Sequence, residues 1–113
     1  GNQASAVLGN HEGLIRELIK AGERCGDRLW QLPLWEEYDA QIKGDFGDIK
    51  NTGGRAAGTI TAAAFLKQFA VDYTWAHLDI AGTAWADKNT PGSPKGGTGV
   101  GVRLLVEYLK GQC

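Results

Sequence analysis

Thr59-Ile60-Thr61-Ala62-Ala63-Ala64-Phe65-Leu66-Lys67-Gln68-Phe69, followed after a short break by Tyr73-Thr74-Trp75-Ala76-His77-Leu78-Asp79-Ile80-Ala81-Gly82, is the stretch on which the fold turns. The first segment has almost no polar face, and a helix that is apolar nearly all round belongs to a protein interior. The second alternates, with Trp75, His77, Asp79 and Ala81 on one side and Ala76, Leu78 and Ile80 on the other, which predicts a largely buried strand. An interior helix next to a buried strand describes a layered α/β structure.

Outward from this centre the pattern is less dense. Toward the N-terminus, Leu14, Ile15, Leu18, Ile19 and Cys25 recur at helical spacing, so a helix is expected from an N-cap at Asn10 to about Arg24, stopped by Gly26. Asp27 to Trp35 is interrupted by Pro33 and reads as an edge strand or extended connector, and Trp35, Tyr38 and Ile42 mark a short helix closed by Gly44. Residues 45–57 read as a long loop. Toward the C-terminus, residues 83–99 are rich in Gly, Pro, Asn and Lys and also read as a loop. A last helix then follows, with Leu104, Leu105, Tyr108 and Leu109 as its buried stripe and Arg103 and Glu107 on its wet face. Ser5–Leu8 and Arg28–Leu32 are weaker strand candidates. With one confident strand against four helices, the sheet is expected to include strands from outside these 113 residues.

Composition narrows the function classes. Twelve Lys and Arg against 13 Asp and Glu give a net charge of −1, which argues against a basic nucleic-acid module. No apolar run approaches the ~20 residues of a bilayer span, and residues 1–8 lack the basic start and apolar core of a signal peptide. Cys25 and Cys113 are too few for a disulfide scaffold or a zinc ribbon, so a reducing cytoplasm is the expected compartment. Methionine is missing even at position 1, and Gly1 is therefore expected to be a processed or truncated start.

Few residues invite chemistry. His77 and Asp79 face one side of the predicted strand, and the expected role is that of hydrogen-bonded interior groups tying the strand to a neighbouring loop; a shared site is the alternative. The 17 glycines, about twice the usual ~7%, concentrate in two loops. Gly92-Ser93-Pro94-Lys95-Gly96-Gly97-Thr98-Gly99-Val100-Gly101 opens a helix, where free backbone N–H groups attract anions. It fails as a phosphate loop because Thr98 stands where Lys must be, and as a dinucleotide fingerprint because no apolar strand precedes it. A loop leading into a helix is the expected reading, with generic anion binding as the alternative. Asn51-Thr52-Gly53-Gly54-Arg55-Ala56-Ala57-Gly58 suits a cleft wall or a tight oligomer crossing, and Arg55 suits either a ligand carboxylate or an acidic neighbour.

Four separated segments carry more. Asp27-Arg28-Leu29-Trp30-Gln31-Leu32-Pro33-Leu34, the run from Asp48 through Asn51-Thr52-Gly53-Gly54-Arg55 to Leu66, Trp75-Ala76-His77-Leu78-Asp79-Ile80-Ala81-Gly82-Thr83-Ala84, and Lys95-Gly96-Gly97-Thr98-Gly99 together resemble, in order and over almost the whole chain, the C-terminal end of the leucine aminopeptidase, or cytosol aminopeptidase, family. The resemblance implies an α/β fold in which residues 1–113 form the C-terminal portion of the catalytic domain, a partial three-layer α/β/α sandwich. It implies a peptidase that removes N-terminal residues, leucine preferentially, and acts as a cytoplasmic homo-hexamer on peptide substrates. Two divalent ions (zinc, manganese or magnesium) would lower the pKa of a bridging water and clamp the substrate amine and carbonyl.

The family's metal ligands, a lysine, three aspartates and a glutamate, and its catalytic lysine and arginine lie in other segments, including Asn-Thr-Asp-Ala-Glu-Gly-Arg, a run that these 113 residues do not contain. No metal ligand or catalytic residue is therefore expected in this chain, and Asp79, Lys95 and Arg55 are not assigned such roles. What carries over are pocket positions. Ala81 and Ala84 match the lining of the pocket for the substrate's first side chain, where small residues leave volume for an apolar group, and Thr52 matches a wall of the following subsite. A noncatalytic anion- or nucleotide-binding α/β module is the alternative. A DNA-binding accessory role, known for some bacterial relatives, finds no support in a net charge of −1.

Overall fold

The computed structural model describes residues 1–44 and 49–113. In chain order these form β1 (Ser5–Gly9), α1 (Glu12–Cys25), β2 (Leu29–Gln31), α2 (Glu36–Gln41), α3 (Gly58–Lys67), β3 (Ala76–Asp79), β4 (Trp85–Ala86), β5 (Gly96–Gly97) and α4 (Val102–Lys110). The fold is mixed α/β, as expected.

Its centre is β1, read from sequence only as a weak candidate. β1 lies between β2 and β3 in a three-stranded sheet, parallel to β2 and antiparallel to β3, with Val7 opposite Gln31 on one side and Leu78 on the other. The parallel pair needs a crossover, and α1 supplies it. Successive strand residues point to opposite faces, and Val7 and Leu8 are both 0% exposed. Val7 packs with Ile15 and Leu18 of α1, Leu29 of β2 and Leu104 of α4. Leu8 packs with Ile60 and Ala63 of α3, flanked by Leu32, Leu34 and Tyr38. Helices therefore cover both faces of β1, and both weak strand candidates belong to this chain's own sheet.

α1 follows its periodicity, burying Ile15, Leu18, Ala21 and Gly22, and ends at Gly26 with φ 86°. Its N-cap is His11, whose Nδ1 accepts from the Leu14 N–H at 3.1 Å. Asn10, expected in that role, is used elsewhere: its side chain donates to the Tyr73 carbonyl at 2.7 Å and accepts from the Trp75 N–H at 3.0 Å, which fixes the approach to β3. Gly22 permits the return of the chain after the helix, since a Cβ there would collide with the Asp27 carbonyl oxygen and press on Leu104.

Several expectations about burial need correction. α3 buries Ile60, Thr61, Ala63 and Ala64 but leaves Leu66 exposed, and Phe69, just beyond its end, is 68% exposed. The helix is interior on one side only. β3 is four residues long, all partly buried, because only β1 pairs with it among the described residues, and Tyr73 and Ile80 lie outside it and exposed. In α4 only Leu104 is buried, Tyr108 packs partly on the Val7 cluster, and Leu105 and Leu109 are exposed. α2 stops at Gln41, short of Gly44, with the buried Ile42 as its C-cap. Of the loop expected over 45–57, residues 45–48 lie outside the described residues. The loop over 83–99 contains the short antiparallel pair β4–β5, with Trp85 opposite Gly97.

Candidate pocket wall at the end of the central sheet

The distal end of β3 and the start of β1 meet in a small polar network. Asp79, the last residue of β3, uses both carboxylate oxygens. Oδ2 accepts from Thr59 Oγ1 in the first turn of α3 at 2.6 Å, and Oδ1 accepts from the Ala81 backbone N–H at 2.9 Å. The second bond is an Asx turn, in which the side chain fixes the backbone two residues on. Thr59, then the Ala81 N–H, hold the Asp79 carboxyl below the usual carboxylate range against a smaller opposing effect of burial, and the nearby His77 acts in the same direction. Asp79 thus ties strand, helix and turn together as expected, although it is half-buried and not interior. The His77 side chain, expected to be hydrogen-bonded as well, makes no hydrogen bond among the described residues, and the residue is held through the pairing of β3 with β1 opposite Leu8.

From Asp79 the chain makes a single helical turn, with the N–H groups of Thr83 and Ala84 both donating to the Ile80 carbonyl, at 3.0 and 2.9 Å. Ser5 Oγ and Thr83 Oγ1 lie 2.6 Å apart, joining the turn to β1. On its other side the turn is joined to the glycine-rich loop, since Thr98 Oγ1 donates to the Thr83 carbonyl at 2.7 Å and the Thr98 N–H donates to the Ala84 carbonyl at 3.0 Å.

Ala81 and Ala84 therefore sit on one turn that is pinned on three sides. Ala81 is exposed and lines a cleft of about 290 Å³ with Ser5, Ala6, Leu32, Thr59 and Asp79, while Ala84 is half-buried on the same turn and is not part of that lining. Thr52 is exposed in the loop before α3, where its Oγ1 accepts from the Gly54 N–H at 3.3 Å, and it is not part of that cleft's lining. The next residue, Gly53, abuts the side chain of Thr61 so closely that a Cβ would collide with it, so the Thr52 loop is set directly on α3. Arg55 is exposed and makes no ion pair among the described residues. Sequence reasoning did not find the partnership of Thr59 with Asp79. The available signal was a carboxylate at the end of the short strand and a threonine in the first turn of a mostly apolar helix.

The start of α4 bears on the anion-binding alternative. The Gly101 N–H donates to Asp27 Oδ2 at 3.1 Å, and Arg103 donates to Asp27 Oδ1 at 2.8 Å. Asp27 is buried, and its carboxylate takes the position at the helix N-terminus that a bound anion would need. Among the described residues no group of three or more His, Cys, Asp or Glu side chains is placed to hold a metal ion. No helix among them is long and apolar enough to cross a membrane.

A sequence profile of the cytosol aminopeptidase family, catalytic domain, matches residues 1–106. The chain belongs to the cytosol aminopeptidase family. It is 63% identical over 110 residues to the "Probable cytosol aminopeptidase" of Syntrophotalea carbinolica, an alignment covering 97% of this chain and 22% of that relative. The correspondingly named protein of Geobacter sp. strain M21 gives the same identity and coverage, and that of Geobacter sulfurreducens is 59% identical over 110 residues, again 22% of its length. The chain thus spans about a fifth of the length of the curated relatives it matches. The family resemblance read from the four segments is borne out by the profile and by these cytosol aminopeptidases.

Proposed function

We propose that residues 1–113 form the C-terminal portion of the catalytic domain of a metal-dependent leucyl aminopeptidase, and that their part in the reaction is to build the wall of the pocket for the substrate's first side chain. The observation that carries this reading is 63% identity to a cytosol aminopeptidase across 97% of the chain, joined to a turn whose two small residues, Ala81 and Ala84, are held by Asp79, Ser5 and Thr98. Small residues at such a wall leave volume for a branched apolar side chain. Thr52, on its separate loop, serves as a wall of the following subsite.

In this reading, helices on both faces of β1 are part of a three-layer α/β/α sandwich whose remaining strands come from the rest of the protein. The two divalent ions that the family resemblance implies do not fit the described residues of this chain, which hold no ligand cluster. Their ligands and the catalytic groups belong to the rest of the protein. Cytoplasmic location and assembly into a hexamer complete the proposal.

The test is release of N-terminal leucine from a leucyl peptide by the full-length protein, before and after dialysis against a chelator. Activity that is lost on chelation and restored by zinc, manganese or magnesium is expected. A full-length protein that leaves the N-terminal residue in place, or releases it equally after chelation, contradicts the proposal. The noncatalytic anion-binding module is disfavoured by one specific contact, the Asp27 carboxylate already bonded to the Gly101 N–H.

A further inference from the structure

We infer that Thr59 and Asp79 are positioning residues that set the depth of the first side-chain pocket by fixing the turn that carries Ala81 and Ala84, an inference that rests on the aminopeptidase reading above. Neither side chain is spent on the hydrophobic core. Thr59 sits in the first turn of α3, and its hydroxyl reaches across to Asp79 at 2.6 Å instead of bonding within its own helix. Asp79 uses its other oxygen on the backbone N–H of Ala81, so one carboxylate couples the helix to the pocket residue itself. Both line the cleft into which Ala81 is exposed.

Hydrogen bonds to an ionised carboxylate are roughly twice as strong as neutral ones, and Asp79 accepts two of them at the point where the chain leaves the sheet. Beyond that point the turn has no side chain large enough to hold itself by packing, since it consists of Ile80, Ala81, Gly82, Thr83 and Ala84 with Ile80 exposed. Its position is therefore set by polar ties. Displacement of an alanine wall by a fraction of an ångström changes the fit of a leucyl side chain that reaches the wall and leaves an alanyl side chain, which does not reach it, unaffected. A misplaced wall alters selectivity between substrates, whereas loss of a catalytic group lowers turnover for all of them.

The experiment uses the full-length, metal-loaded enzyme with Thr59→Val, Thr59→Ser and Asp79→Asn, assayed on leucyl and alanyl substrates of otherwise identical structure. Thr59→Val removes the hydroxyl at nearly constant volume and is expected to raise KM for the leucyl substrate about tenfold while KM for the alanyl substrate and kcat on both stay near wild type. Asp79→Asn is expected to shift the same ratio in the same direction. Thr59→Ser keeps the donor and is expected to restore leucyl KM. Hydrogen exchange over residues 80–84 gives a readout independent of turnover and is expected to accelerate in Thr59→Val and not in Thr59→Ser. A folded Thr59→Val enzyme with unchanged KM values, or with kcat lowered equally on both substrates, overturns the inference while wild-type leucyl hydrolysis leaves the aminopeptidase reading standing. A wild-type enzyme without aminopeptidase activity overturns both.

Discussion

At the scale of single residues, Asp79 has a measurable consequence for stability. Thr59 and the Ala81 N–H favour its charged form, so its folded-state pKa lies below the unfolded value. Such a group contributes stability that is fully present above the unfolded pKa of about 4 and is lost as pH falls through the folded pKa. The thermal midpoint of the full-length protein is therefore expected to fall more steeply below about pH 4 in wild type than in Asp79→Asn, which has no proton to take up. Parallel acid limbs in a paired melting series contradict this. Gly22 offers a second test. Its missing side chain lets the Asp27 carbonyl approach α1 where Leu104 also packs. Gly22→Ala is expected to destabilise by about 1–3 kcal/mol despite alanine's better helix propensity, because the added methyl overpacks against backbone that has no room to yield. Denaturant titration of the full-length variant reads the sign directly.

At the scale of elements, what was legible in the sequence depended on whether local pattern or tertiary context decides each one. α1 shows its buried positions at helical spacing and carries its stop signal in Gly26, so both were readable. Its start was misplaced by one residue. Asn10 and His11 can both accept a capping bond, and the choice falls to His11 because the Asn10 side chain is committed to Tyr73 and Trp75, 63 and 65 residues away. β1 is five residues long, and its importance lies in being covered on both faces, a property of its neighbours that no local pattern encodes. β5 is two glycines, which have no side chains to alternate. α4 shows a clear apolar stripe, yet only Leu104 is buried and only Tyr108 joins it against the Val7 cluster, while Leu105 and Leu109 stay exposed; polar ties also hold the helix. Asp27 binds its start, and the ion pair of Arg24 with Glu107 at 2.8 Å joins its later turn to α1. At the candidate site, the small residues of the pocket wall came from resemblance. Their support by Thr59, Ser5 and Thr98 joins residues 15 to 78 positions apart and needed the fold.

At the scale of the whole molecule, the surface is too large for its mass. The chain exposes 7813 Å², whereas a compact 12.1 kDa monomer is expected to expose about 6,000 Å². It forms a slab of 49 × 36 × 17 Å, with Trp30, Phe69, Trp85, Val102 and Leu109 among its exposed apolar side chains. Under the proposed function the rest of the catalytic domain and the other subunits cover these side chains. The isolated 113-residue chain is accordingly expected to aggregate or to bind a hydrophobic dye strongly. A soluble monomer with a sharp cooperative melt and no dye binding contradicts that.

The central claim is that the turn from Ile80 to Ala84 forms a wall of the pocket for the substrate's first side chain. It is tested most directly by steady-state kinetics of full-length Ala84→Phe on leucyl, alanyl and glycyl substrates. Filling the pocket with a phenyl ring is predicted to raise KM for the leucyl substrate far more than for the alanyl and glycyl ones, with the protein still folded and assembled. An equal change for all three substrates, or none, contradicts the claim.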